Sequence, residues 1–174
     1  ARAFAQEGGH KVNPHAARLH GFTERLDRFA ALKKKLEAGL PQVQPSDRTT
    51  TAEQHRTELA QRIREARKGA KQGDLFGDTQ PIFREIVAKD AGNRGVRDAY
   101  AAMQEVPAQN PPAVNTPYPE KAPLATVPPL ILVNLPRLPD GLEYRFMGRD
   151  LILRDQGSNL IIDFVPGAVP AIKK

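Results

Sequence analysis

The chain has 174 residues, with 26 Lys and Arg against 20 Asp and Glu, a net charge of +6 and no cysteine. A chain of this length buries roughly 70% of the surface its unfolded form exposes, so it needs no covalent staples. Without cysteine it has no disulfide, no thiolate metal site and no cysteine nucleophile. No apolar run approaches the length of a membrane-spanning helix. The excess charge lies in one part: residues 1–74 hold 15 Lys and Arg against 9 Asp and Glu, and residues 75–174 hold 11 of each. A basic half points to an anionic partner or to a solvated helix face.

Residues 1–13 read as a polar tail. Within it, Ala3-Phe4-Ala5 fits the small-x-small pattern of a signal-peptidase site, so export is expected. Asn13-Pro14 starts a first helix, with Pro14 in the first turn where its missing N–H costs nothing. Leu19, Phe22, Leu26, Phe29, Leu32, Leu36 and Leu40 recur at spacings of three and four, which places Arg18, Arg25, Arg28 and Lys35 away from the apolar stripe. After a turn-rich linker, a second helix is expected over about Thr50 to Lys71. Its stripe is His55, Leu59, Ile63, Ala66 and Ala70, and Gly73 is its stop. The two helices are expected to pack as an antiparallel hairpin.

A third helix is capped by Asp78 with Pro81 in its first turn; Ile82, Phe83, Ile86 and Val87 form its face and Gly92 follows its end. A short fourth helix carries Val96, Tyr100 and Met103. Between Pro107 and Pro129, 8 of 23 residues are proline, which predicts an extended wrap without regular pairing. "PPLILVNLPRLPDG" is short enough to be a helix or a buried strand. The chain then reads as three strands, Glu143–Met147, Asp150–Asp155 and Leu160–Val165, joined at Gly148-Arg149 and at "QGSN". Strict alternation puts Tyr144, Phe146, Leu151, Leu153, Leu160, Ile162 and Phe164 on one face. Glu143, Arg145, Arg154 and Asp163 then fall on the other, in water. Three strands do not close a core by themselves, so this meander is expected to lie on the helices.

"GLEYRFMGRDLILRDQGSNLIIDFVPGAVP", "PPLILVNLPRLP" and "LAQRIREARKGAKQGDLF" together resemble a family of uncharacterised exported bacterial proteins, with the meander as the most specific part. The resemblance covers roughly Phe22 to Pro170. It implies a signal peptide and a helical region followed by a small β unit. It implies no activity, ligand or catalytic residue.

Candidate chemistry is thin. His10, His15 and His20 are five apart, which on a helix of 3.6 residues per turn turns successive side chains about 140° from each other, unlike the i, i+4 pair that holds zinc. No metal site is expected. Asp155 and Asp163 are the candidate catalytic carboxylates, a pair able to meet across the sheet as in a hydrolase. "DQGSN" also offers oxygen ligands, but the bidentate Glu of a calcium loop does not follow. Ser158 has no neighbouring His in sequence, and no G-x-S-x-G elbow or phosphate-binding glycine motif occurs. Arg94 and Arg97, in "GNRGVR", are the candidate anion-binding residues if that turn opens a helix. Lys33, Lys34 and Lys35 late in the first helix, and Arg62, Arg64, Arg67, Lys68 and Lys71 late in the second, also complement helix macrodipoles. These segments lack the interleaved aromatics that single-stranded nucleic acid stacks on.

The reading is therefore an α+β protein. It comprises a tail (1–13), a helical region (14–106), a proline-rich wrap (107–129) and a small β unit (130–174) that forms one compact body with the helices. The expected function is an exported, non-enzymatic binding or structural module of the cell envelope. No cofactor is expected, and the expected partner is a protein or a second copy rather than nucleic acid. The alternatives are a hydrolase or metal-dependent binder using the meander's carboxylates, and an anion or nucleic-acid binder using the basic hairpin.

Overall fold

The computed structural model describes residues 14–41, 49–94, 111–119 and 127–171. Within them the fold is α+β, as the sequence predicts. The helices are α1 (Pro14–Glu37), α2 (Thr49–Ala66), α3 (Gln80–Arg94), which follows a 3-10 turn at Gly77–Thr79, and α4 (Pro129–Asn134). The strands β1 (Leu142–Met147), β2 (Asp150–Asp155) and β3 (Leu160–Val165) form one antiparallel sheet in the order β1-β2-β3. The tail, and the helix expected around Val96, Tyr100 and Met103, lie outside the described residues.

The hairpin of α1 and α2 buries Phe22, Leu26 and Phe29 from one helix and Leu59, Ala60 and Ile63 from the other. Ala66, expected on the seam, is exposed. The second helix stops at Ala66 rather than near Lys71 because the chain tightens there. Lys68 N–H donates to Glu65 O and Ala70 N–H to Arg67 O, both three residues back, and the Asn115 amide also donates to Arg67 O at 2.8 Å. The third helix runs two residues past Gly92. At its start, Asp78 sits in the preceding 3-10 turn and reaches Arg18 at 3.8 Å and Arg25 at 3.6 Å. The ambiguous "PPLILVN" is helix: Pro128 and Pro129 supply a fixed φ at the start, where no N–H is needed.

Phe22, Phe76 and Phe83 form a ring cluster where α1, α3 and the segment between α2 and α3 meet, with centroids 4.9 to 5.3 Å apart. Tyr144 of β1 adjoins Phe83 at 6.0 Å, so this cluster joins the sheet to the helices. Each such side chain contributes about 1.5–3 kcal/mol on burial.

The sheet departs from strict alternation at one residue. Leu153 pairs with Asp163 and Arg154 with Ile161, leaving Ile162 as an extra residue in β3. This β-bulge reverses the facing of the rest of the strand. Asp163 and Val165 therefore share a face with Tyr144 and Leu153, and Phe164 moves to the other. The expectation that Asp163 stands in water with Glu143 is thus overturned. Nor is the opposite face a wet one, since Ile152 and Ile161 on it are also buried.

Part of the proline-rich segment supplies that second cover, and it pairs more regularly than expected. Asn115 N–H donates to Ile161 O, Ile161 N–H to Thr116 O and Tyr118 N–H to Asn159 O, each at 2.8 Å, along the free edge of β3. Asn115 adopts φ 64°, a left-handed conformation that asparagine tolerates better than most residues. Tyr118, buried, lies beneath the Arg154 guanidinium with 5.2 Å between them, and its hydroxyl donates to Phe146 O at 3.3 Å.

Candidate functional site

The bulge delivers Asp163 to the segment that follows α2. One carboxylate oxygen accepts Gly73 N–H (2.7 Å) and Phe164 N–H (2.8 Å); the other accepts Leu75 N–H (2.8 Å) and Phe76 N–H (2.9 Å). Gly73 has φ 91°, which turns its N–H into this cradle in a conformation that favours glycine. The Asp163 side chain is fully buried. Burial pushes its carboxyl above the ordinary aspartate range, and the four N–H donors pull against that shift. The arrangement anchors a connecting segment and leaves the carboxylate no open side for a substrate.

Asp155 is also fully buried, at the end of β2. It accepts Ser158 N–H at 2.8 Å and the Ser158 hydroxyl at 2.6 Å, a self-contained turn of the kind aspartate favours. Its other oxygen lies 2.7 Å from Lys33 Nζ of α1. The Lys33 side chain passes close to Gly141 and Gly157, where a Cβ would stand 3.0 and 3.2 Å from Nζ. The pair therefore pins the β2–β3 turn to the first helix. Ser158 spends its hydroxyl on Asp155 and is buried, so it has no nucleophile geometry. Asp155 and Asp163 share the helix-facing side of the sheet, yet each is committed to separate partners.

Glu143, Arg145 and Arg154 form a third polar group on the opposite face. Glu143 receives Arg154 at 2.5 Å, Arg145 at 2.6 Å and the Gln156 amide at 2.9 Å. Burial raises its pKa, but the hydrogen bonds from Arg145, Gln156 and Arg154 together hold it below the ordinary glutamate range. Arg145 Nε is buried with no acceptor among the described residues. The sequence lists these residues on one face; the mutual neutralisation comes from the β1–β2 register, which sets Glu143 opposite Arg154.

Arg94 is the last residue of α3, at the end where exposed carbonyls repel an anion, and Gly92 lies inside the helix rather than in a turn. The helix N-terminus that "GNRGVR" was expected to provide is not at Arg94. Arg97 lies outside the described residues, as does His10. His20 is exposed, 3.4 Å from Glu24, and His55 is half-buried on α2. Among the described residues no group of three or more His, Asp or Glu stands close enough to hold a metal ion.

Concavities remain among the described residues. His15, Glu85, Lys89 and Asp90 line a cavity of about 360 Å³ between α1 and α3. A groove of about 380 Å³ separates α4 from β1, with Leu132, Leu135, Leu138 and Tyr144 as its apolar lining and Arg137 and Arg145 among its charged residues. Beside it Leu132 is 45% exposed and Val133 82% exposed. A third groove, of about 280 Å³, lies on the basic hairpin. No helix is long and apolar enough to cross a membrane among the described residues. No family model matches the chain, and no curated protein or solved structure matches it significantly.

Proposed function

We propose that this chain is a non-enzymatic binding module of the cell envelope, with the helices and sheet as scaffold and the α4 face as its protein-binding surface. One observation carries the reading. Asp155 and Asp163, the two carboxylates best placed by sequence for chemistry, are both fully buried, and each spends both oxygens on the fold. Among the described residues the large exposed hydrophobics, Leu132 and Val133, stand together on α4 beside a groove with an apolar lining, and contiguous exposed apolar surface commonly marks a partner site. Placement in the envelope is supported by the resemblance to exported proteins and by Ala3-Phe4-Ala5.

The test pairs turnover with stability. On a broad panel of hydrolase substrates, the parent chain, Asp155→Asn and Asp163→Asn are expected to show no turnover, while both variants melt at lower temperature. Turnover that either substitution abolishes in a still-folded protein would replace this reading with the hydrolase one. A photo-crosslinking probe at position 133 is expected to give one discrete adduct from envelope extract, which Leu132→Asp suppresses.

A further inference from the structure

One cluster of cations keeps donors beyond those that the fold uses. Arg25 and Arg28 of α1 and Arg67, just past α2, line the 280 Å³ groove over Phe29, Leu32 and Leu75. Asp74 is the one acid in that lining, and its carboxylate already accepts Lys71 N–H at 2.8 Å. Asp78 also stands 3.6 Å from Arg25, outside the lining and largely exposed, so three guanidinium groups are set against two acids, one of them partly committed.

Two of the three are held in place. Arg25 Nε donates to Leu75 O at 2.6 Å and Arg25 Nη2 to Phe76 O at 3.1 Å. Arg67 donates to Ile162 O and to the Asn115 side chain, and its guanidinium stands 5.3 Å from the centre of the Phe29 ring. A guanidinium carries five N–H donors, so these bonds leave donors on both side chains. Burial lowers the Arg67 pKa, with Asp163 and Asp74 opposing it. Arg28 is exposed and has no hydrogen bond or ion pair among the described residues. Preset guanidinium groups are the usual protein answer to a phosphoryl group, because their forked donors match its oxygens and little ordering is left to the moment of binding.

We propose that this groove binds a phosphoryl oxyanion, with Arg25 and Arg67 as its fixed walls and Arg28 closing on the ligand from the solvent side. Phe29, Leu32 and Leu75 offer the carbon body beside the phosphate an apolar floor. A soluble phosphorylated compound and a phospholipid headgroup share this chemistry. The site is separate from the α4 face and stands or falls without it.

The whole chain is titrated with inorganic phosphate and with pyrophosphate by calorimetry, as parent, Arg28→Ala and Arg28→Glu. Saturable binding is expected in the parent, about tenfold weaker in Arg28→Ala for the loss of one charge-assisted contact, and absent in Arg28→Glu. Melting without ligand is expected to stay unchanged, since Arg28 pairs with nothing it would leave unsatisfied. A second arm uses phosphatidylcholine vesicles with and without phosphatidylglycerol. Retention on the anionic vesicles that pyrophosphate competes and Arg28→Glu loses assigns the phosphoryl group to a lipid; soluble binding without retention assigns it to a free compound. No saturable binding in either arm overturns the proposal. Binding that Arg28→Glu retains undiminished also overturns it, because the anion then sits elsewhere on the basic half.

Discussion

At the scale of single residues, the ionisable groups of the sheet act as fasteners. Removing Asp163 would leave the buried Leu75 and Phe76 N–H groups and the part-buried Gly73 N–H without an acceptor, each buried one costing about 1–3 kcal/mol. Asp163→Ala is therefore expected to lower stability by about 3 kcal/mol or more, read as a shift of the urea midpoint at constant slope. Glu143 and Asp163 should differ in the sign of their pH dependence. The Glu143 carboxyl is depressed in the folded state, so its contribution is full above the ordinary glutamate value and is lost as pH falls through the folded one. The Asp163 carboxyl is raised, so its contribution is full below the ordinary aspartate value and declines as pH rises through the folded one. Urea midpoints measured from neutral pH down to about pH 3 are expected to fall less steeply for Glu143→Gln than for the parent, and more steeply for Asp163→Asn. Deviations in the same direction would contradict the assignment.

At the scale of elements, the bulge at Ile162 is the device that sets the architecture. An unpaired bulge carbonyl buried without a donor is costly, and Arg67 meets it with both terminal nitrogens at 3.1 Å. The same guanidinium covers the Phe29 ring and holds Asn115, so one side chain ties α2, β3 and the proline-rich segment together. Lysine offers one ammonium in place of a flat fork and does not reproduce this set. Arg67→Lys is expected to cost about 1–3 kcal/mol although it keeps the charge. Amide exchange should quicken at Ile161 and Tyr118, whose N–H groups form the pairing with the 115–118 segment. Unchanged exchange there would mean the segment is held by other contacts.

At the scale of the whole molecule, helices and sheet are interdependent. The carboxylates of the sheet find their donors on α1 and on the segment after α2, while Gln72 and Arg84 donate to Phe164 O and Pro166 O. A peptide of residues 127–171 would contain the three strand sequences but expose Tyr144 and Leu153, take Lys33 from Asp155 and take the Gly73, Leu75 and Phe76 N–H groups from Asp163. It is expected to be unfolded, with amide proton shifts collapsed into the random-coil range. Dispersed shifts from the isolated peptide would show that the sheet does not depend on the helices.

Much of this was legible in the sequence, for local reasons. The three strands are legible to within a residue because turn chemistry at Gly148 and Asn159 and runs of branched and aromatic residues act over a few positions. The hairpin stripe through Phe22, Leu26 and Phe29 followed from helical period alone. The role of Asp163 did not, since a single bulged residue inverts which side chains face the helices and leaves no mark in the alternation of "LIIDFV". The basic groove was equally hidden: Arg28 and Arg67 are adjacent only because α1 and α2 fold back on each other. Composition and period determined which elements form. Register and packing, which couple residues far apart in the chain, decided that the charges of the sheet are buried bonds and that Arg28 of the hairpin stays open beside the fastened Arg25 and Arg67.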